Sequence, residues 1–371
     1  MTDGTERGRR AYIGSFTSDG GRGITTAELD AATGALTALH HTGTTVTDPS
    51  FLALSPGGGV LYAVSETDRG GVAALSLDRE TYPVPLGGTV PVDADGPTHL
   101  TVAGGHLYTA NYTSGSVTAL PLRADGSPGG NAVTHQHHGQ GPVRDRQEGP
   151  HAHAVVPDPS GQWLLVTDLG TDSVWVYDLR GTGTGTGTGS DTRSGPGLRL
   201  HREVPLRSGT GPRHLAFAVA SPAPGRPGGA GRALVVNELD STVTACRWDA
   251  GTGELVPLGE TRLLPPEAKT ENHPSALALS PDGRFAWAAN RGHDSVTVLD
   301  LTAGELPERV TTVPCGGHWP RDLAVHPSGR RLYAANERSG DVTWFDVDPA
   351  TGIPHRAGSL AAPAASCVVF G

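Results

Sequence analysis

Cysteine, aromatic residues and positive charge are all scarce in this chain of 371 residues. Its three cysteines (Cys246, Cys315, Cys367) are far apart, odd in number and form no C-x-x-C pair. Neither a disulfide framework nor a cysteine zinc site is therefore expected, and all three read as small core hydrophobes. Only 28 lysines and arginines stand against 38 carboxylates, a net charge of −10. That balance argues against a nucleic-acid or anionic-membrane partner, since both need a positive field. An anionic small molecule would have to be met by local cations. No apolar run reaches the length of a membrane-crossing helix. The opening MTDGTERGRRAYIGSF is charged where a secretory leader would carry its apolar stretch, so a cytoplasmic protein is expected. Aromatics make up 5%, and the Leu/Glu/Lys/Ala-rich runs that long helices need are few.

Glycine (53) and proline (30) are plentiful instead, the mark of short strands and many turns, and the fold class expected is all-β. Internal repetition is visible by eye. HPSALALSPDGRFAWAANRGHDSVTVLDL (273–301) lines up with WPRDLAVHPSGRRLYAANERSGDVTWFDV (319–347), and earlier copies start near 49, 96, 149 and 211. Each reads as strand, Pro-Asp/Ser-Gly turn, strand, short polar loop, strand, and an irregular fourth strand. The alternation in SVTVLDL is the period of a half-buried strand. A seventh unit is split: ASCVVFG (365–371) has the pattern of a first strand, and RAYIGSFTSDGGRGITTAELDAATGAL supplies the rest of the repeat. The expectation is a seven-bladed β-propeller of four-stranded blades, closed by N- and C-terminal segments that share one blade. A single domain over 10–371 is expected, with a disordered start at 1–9 and flexible insertions at 181–195 and 220–231. Closure satisfies the sheet edges, which favours a monomer. The GTGTGTGTG run lacks the strand-to-helix context of a phosphate-cradling loop.

In such a blade the start of the innermost strand and the end of the second lie on one face. The starts bring Pro49-Ser50, Thr98-His99, His151-Ala152-His153, Arg213-His214, His273-Pro274-Ser275 and Pro320-Arg321-Asp322 to one mouth. The ends bring Asn111, Asp168, Asn237, Asn290 and Asn336, whose recurrence in the repeats favours a structural turn role. The residue after each varies: Glu66, Tyr112, Leu169, Glu238, Arg291, Glu337. The mouth so assembled holds His99, His151, His153, His214, Arg213, Arg291, Arg321, Glu66, Glu238 and Glu337. Histidine and carboxylate are general acids and bases near neutral pH, and arginine can hold an oxyanion. His135, His137 and His138, with His151 and His153, could form a metal site, but a solvent-facing histidine-rich loop is favoured and no metal is expected. Neither H-E-x-x-H nor G-x-S-x-G is present.

From about residue 11 to the C-terminus, YIGSFT, RQEGPHAHAVVPDPSGQWLLVTDLGTDSVWVY, GTGPRHLAF, VVNELDSTV and ANRGHDSV resemble the lactonase family, which includes propeller-type 6-phosphogluconolactonases and carboxymuconate cyclases. The resemblance implies a metal-independent, cofactor-free enzyme acting on a small-molecule lactone. Its catalytic cluster would fall on His153, with His151 beside it, Arg213, Glu238 and Arg291. The other residues of the mouth, His151, His214, Arg321, His99, Glu66 and Glu337, are expected to bind substrate. The reaction expected is hydrolysis of a small sugar-acid lactone, first of all 6-phosphogluconolactone to 6-phosphogluconate, with His153 or Glu238 as base and Arg213 and Arg291 on the oxyanion and an anionic substituent such as a 6-phosphate. A lactone-forming cyclase and a non-catalytic binding scaffold are the alternatives.

Overall fold

The computed structural model describes residues 10–77, 82–180, 197–218 and 230–371. Residues 1–9, the Gly-Thr segment 181–195 and most of the 220–231 insertion lie outside the described residues. The second insertion ends earlier than expected: a strand already begins at Ala230, because Ala230 and Gly231 find ladder partners in Asp249 and Trp248.

Among the described residues the strands form seven antiparallel sheets of four, one of them with an extra two-residue strand, Val90–Pro91. Among the described residues the only helical segment is the 3-10 turn Thr17–Asp19. The split seventh unit is realised: the C-terminal strand Ala365–Phe370 pairs with Arg10–Ser15, which continues into Thr25–Leu29 and Leu36–His41.

Two compact units partition the chain. The first comprises Met1–Ala63, Leu75–Val84 and Thr261–Gly371, the second Val64–Ala74 and Pro85–Glu260. In the first unit Phe285, Trp287, Val296, Val298, Leu332 and Phe345 form one buried cluster between neighbouring sheets, and Ile13, Leu29, Tyr333 and Val342 another. In the second, Tyr108, Val155, Leu164 and Tyr177 form one, and Trp163, Val176, Val235 and Trp248 another. Each fully buried side chain of this size contributes roughly 1.5–3 kcal/mol of transfer free energy. The three cysteines are buried and free.

Two polar devices recur. The first is the residue that ends each second strand. Asn237 donates from its amide to Thr242 and Thr244, both at 2.8 Å, and Asn111, Asn290 and Asn336 reach the matching positions. The structural role expected for these residues is therefore corrected in kind: the amide latches the second strand to the third, and the bond is not a local turn bond. Asp168 alone caps its own turn, accepting from the backbone of Gly170 and Thr171.

The second device is an Asp-x-x-Thr-Gly turn at 30–34, 249–253 and 348–352. The glycine N–H closes on the aspartate carbonyl each time, and the turn offers a carbonyl to an aromatic of the neighbouring sheet. Tyr333 donates to Gly34 (2.9 Å), Trp163 to Ala250 (2.7 Å) and Trp287 to Gly352 (2.8 Å). Gly253 sits at φ +68° with space for a Cβ only 2.6 Å from the Trp163 ring. Gly253→Ala should therefore destabilise the protein by about 1–3 kcal/mol in denaturant unfolding, through left-handed strain and overpacking. Gly88→Ala, with nothing within 4 Å of the added carbon, should stay within about 0.5 kcal/mol.

Candidate active site

Several of the candidate side chains are placed by one backbone irregularity. An innermost strand pairs regularly with the second strand until its first turn, where one extra residue is inserted. In the second unit the strand Ala152–Pro157 pairs Ala152 with Asp168 and Ala154 with Thr167, which leaves His153 as the bulged residue. In Pro212–Ala218 the same shift leaves Arg213, and in Pro97–Ala103 it leaves Thr98, next to His99. In the first unit it leaves Arg321. A bulge breaks the two-residue alternation and re-aims a side chain, so a residue can leave the packed face of the sheet without ending the strand. Hydroxyl groups fix the bulges: Thr98 donates to the carbonyl of His153 (3.1 Å) and Thr167 to that of Arg213 (2.8 Å).

Around these strands the second unit gathers a charged cluster. Glu238, next after the strand Ala230–Asn237, is held by its N–H to the carbonyl of Gly211 (2.8 Å). Its carboxylate is buried and bridges two guanidiniums, with Oε2 3.0 Å from Arg213 Nε and Oε1 2.5 Å from Arg146 Nη2. The Arg213 side chain is 7% exposed and that of Arg146 34%. Burial works against the charge on Arg146, but Glu238 and then Tyr112 outweigh it and hold the guanidinium above its ordinary range. Tyr112 connects this cluster to the histidines. Its ring stacks on His151 (4.5 Å between centroids) and meets His153 edge-on (5.5 Å), and its carbonyl bonds His151 Nδ1 at 3.0 Å. The other ring nitrogen of His151 lies 3.3 Å from Glu148.

His99 and His214 form a third group, their rings 5.6 Å apart. Burial, then the neighbouring His214 and Arg213, pushes His99 well below the usual imidazole range. Burial and then Arg213 take His214 down to about 4, so both rings are neutral at pH 7.

Of the ten residues expected at one mouth, the second unit thus brings six together: His99, His151, His153, Arg213, His214 and Glu238. Glu66 belongs to the same unit, half-buried directly after the strand Val60–Ser65. Arg291, Arg321 and Glu337 belong to the first. There Arg321 pairs with Glu337 (3.2 Å) and lies over the ring of Phe16. Arg291 donates to the carbonyl of His273 (2.9 Å) and faces Trp319, a residue held at φ +65° by the carboxylate of Asp294.

The expected solvent-facing histidine loop is corrected. His135 lies in the strand Val133–Gln136, and His137 is fully buried because both of its nitrogens have partners: Asp168 at 2.6 Å and the Tyr177 hydroxyl at 2.9 Å. Its ring stacks on Trp175 at 4.1 Å, and only His138 of the three is exposed.

Arg146 escapes the sequence reading although it opens the R-Q-E-G-P-H-A-H string that carries the resemblance. The adjacent Gln147 explains its placement. Gln147 is wholly buried and donates to the Leu169 carbonyl and to Asp172, both at 2.8 Å. Asp172 also accepts from the backbone of Gly209 (2.6 Å) and Gly211 (2.8 Å). One carboxylate therefore ties the segment bearing Arg146 to the segment bearing Arg213.

A family model described as "Lactonase, 7-bladed beta-propeller" matches residues 10–370. A protein of Bacillus subtilis named 6-phosphogluconolactonase is 32% identical over 367 residues, 97% of either chain. Among solved structures, the periplasmic gluconolactonase of Pseudomonas aeruginosa superposes with a TM-score of 0.83 at 29% identity, covering 97% of this chain and 98% of that one. A protein from Lactobacillus plantarum does so with a TM-score of 0.83 at 28% identity over 98% and 99%.

The neutral histidine pair predicts an acid limb of stability. A histidine whose folded pKa is depressed binds fewer protons folded than unfolded, so its contribution is complete above about pH 6.5 and is lost as pH falls toward 4. For His214 the loss is about 3 kcal/mol across that window. Urea unfolding at pH 7 and pH 4.5 should show a smaller difference in His214→Gln than in the wild type, whereas equal differences would contradict the assignment.

Proposed function

The chain belongs to the lactonase family of seven-bladed β-propellers, and on that premise we propose that it is a carboxylic ester hydrolase opening a sugar-acid lactone, 6-phosphogluconolactone being the substrate the curated relative suggests. The observation that carries the reading is the Arg146–Glu238–Arg213 bridge, which Tyr112 connects to His153. A catalyst for acyl transfer to water needs a base for the water and a fixed cation for the oxyanion.

Roles are assigned from the chemistry and position of each group. Each oxygen of Glu238 faces a guanidinium, so this carboxylate orients the arginines and is not the base. Both ring nitrogens of His151 are occupied, by Tyr112 and Glu148. His99 and His214 are neutral but too weakly basic to hold a proton near pH 7. His153 is the base. It takes a proton from water as the oxygen adds to the lactone carbonyl carbon, and the negative charge that develops on the carbonyl oxygen is met by Arg213. The tetrahedral intermediate collapses with cleavage of the ring C–O bond, and the leaving alkoxide recovers the proton from His153. The product is the open hydroxy acid. Arg291, fixed by His273 and Trp319 in the first unit, is assigned no step.

The test is hydrolysis of freshly generated 6-phosphogluconolactone, corrected for the spontaneous reaction. The wild type should accelerate ring opening. His153→Ala should lower kcat by roughly 10²–10⁴ and Arg213→Ala by roughly 10²–10³. A wild-type rate equal to the spontaneous one would refute the substrate, and a fully active Arg213→Ala would refute the site.

A further inference from the structure

Two guanidiniums meet the carboxylate of Glu238, a concentration of positive charge inside a chain whose overall charge is −10. The two arginines are not equally shielded from solvent. Arg213 is closed off at 7% exposure, while Arg146 keeps a third of its side chain open to solvent. Arg146 is also rigidly presented. Gln147 next to it is pinned in the protein, and the backbone N–H of Arg146 closes on the carbonyl of Val143 at 2.9 Å. Tyr112 lies against the guanidinium and adds a phenol that can donate to an oxyanion. The carboxylate two residues further along, Glu148, is turned to His151 and is 64% exposed.

We propose that Arg146, with Tyr112 beside it, is the specificity determinant for an oxyanion substituent of the lactone, a phosphate monoester carried away from the reacting carbonyl. This rests on the lactonase reading. Glu238 then has two functions: it fixes Arg213 at the reacting centre and leaves Arg146 with an open edge for the substituent. Arginine suits the task because its planar fork engages an oxyanion through paired hydrogen bonds, which a lysine ammonium cannot do.

The test compares 6-phosphoglucono-δ-lactone with the uncharged glucono-δ-lactone in the wild type, Arg146→Gln and Arg146→Lys. In Arg146→Gln the ratio of kcat/KM for phosphorylated over uncharged lactone should fall roughly ten- to a hundredfold, through KM, with Arg146→Lys in between. Equal losses on both lactones, or no loss on either, would overturn the assignment. Calorimetric titration with 6-phosphogluconate, gluconate and glucose 6-phosphate separates this proposal from the lactonase reading, because it needs no turnover. The wild type should bind the two phosphorylated ligands more tightly than gluconate, and Arg146→Gln should remove that preference. No preference in the wild type, or weakening of gluconate by the same factor in the variant, would show that Arg146 does not read a phosphate and would overturn the proposal whether or not lactones are hydrolysed.

Discussion

A carboxylate taken out of water must be answered by cations at close range, and Glu238 is answered twice, at 2.5 Å and 3.0 Å. Much of the second unit can be understood as the means of bringing those two cations to it. Arg213 arrives on a strand bulge, and Arg146 arrives on a segment 92 residues before Glu238 in the chain. Asp172 holds both segments, through Gln147 on one side and the amides of Gly209 and Gly211 on the other. Removing one arginine would leave the carboxylate half-neutralised, so the three groups act as one unit and their individual contributions will not add.

The scaffold supplies regularity and the bulges supply exceptions to it. Asparagine latches and Asp-x-x-Thr-Gly turns recur with the same bonds in several sheets, and they explain why strands of such short length keep one register. At these five bulges the side-chain alternation breaks, and the residue there differs from sheet to sheet: Thr98, His153, Arg213, Arg321, Ser366. Where it is threonine or serine it bonds a neighbouring carbonyl, as Thr98 and Ser366 do. Where it is histidine or arginine it brings a group capable of acid, base or oxyanion chemistry. Structure and function thus occupy the same position in different repeats.

Repeat pattern made most of the fold legible in the sequence. The seven sheets, the shared terminal sheet and the strand-start positions of His153, Arg213 and Arg321 all emerge from aligning the copies by eye. What the pattern could not show was pairing between side chains distant along the chain. Arg146 and Glu238 meet only in three dimensions, and nothing about Arg146 among Arg144, Asp145 and Glu148 marks it as the one that turns inward. The buried His137 misled for the same reason: in T-H-Q-H-H-G it reads as polar, and its partners Asp168 and Tyr177 lie 31 and 40 residues away. The recurring asparagine was recognisable as structural, but its bond to the third strand was hidden because local turn chemistry offers the same residue type.

Whether Glu238 orients the arginines or itself removes the proton decides the mechanism. The direct measurement is the pH dependence of kcat/KM for lactone hydrolysis in Glu238→Gln. If His153 is the base, the variant is slower but keeps a rate that rises with pH through one ionisation, displaced to lower pH because a negative charge of the cluster is gone. A variant whose residual rate no longer depends on pH through that limb would make Glu238 the base and contradict the account.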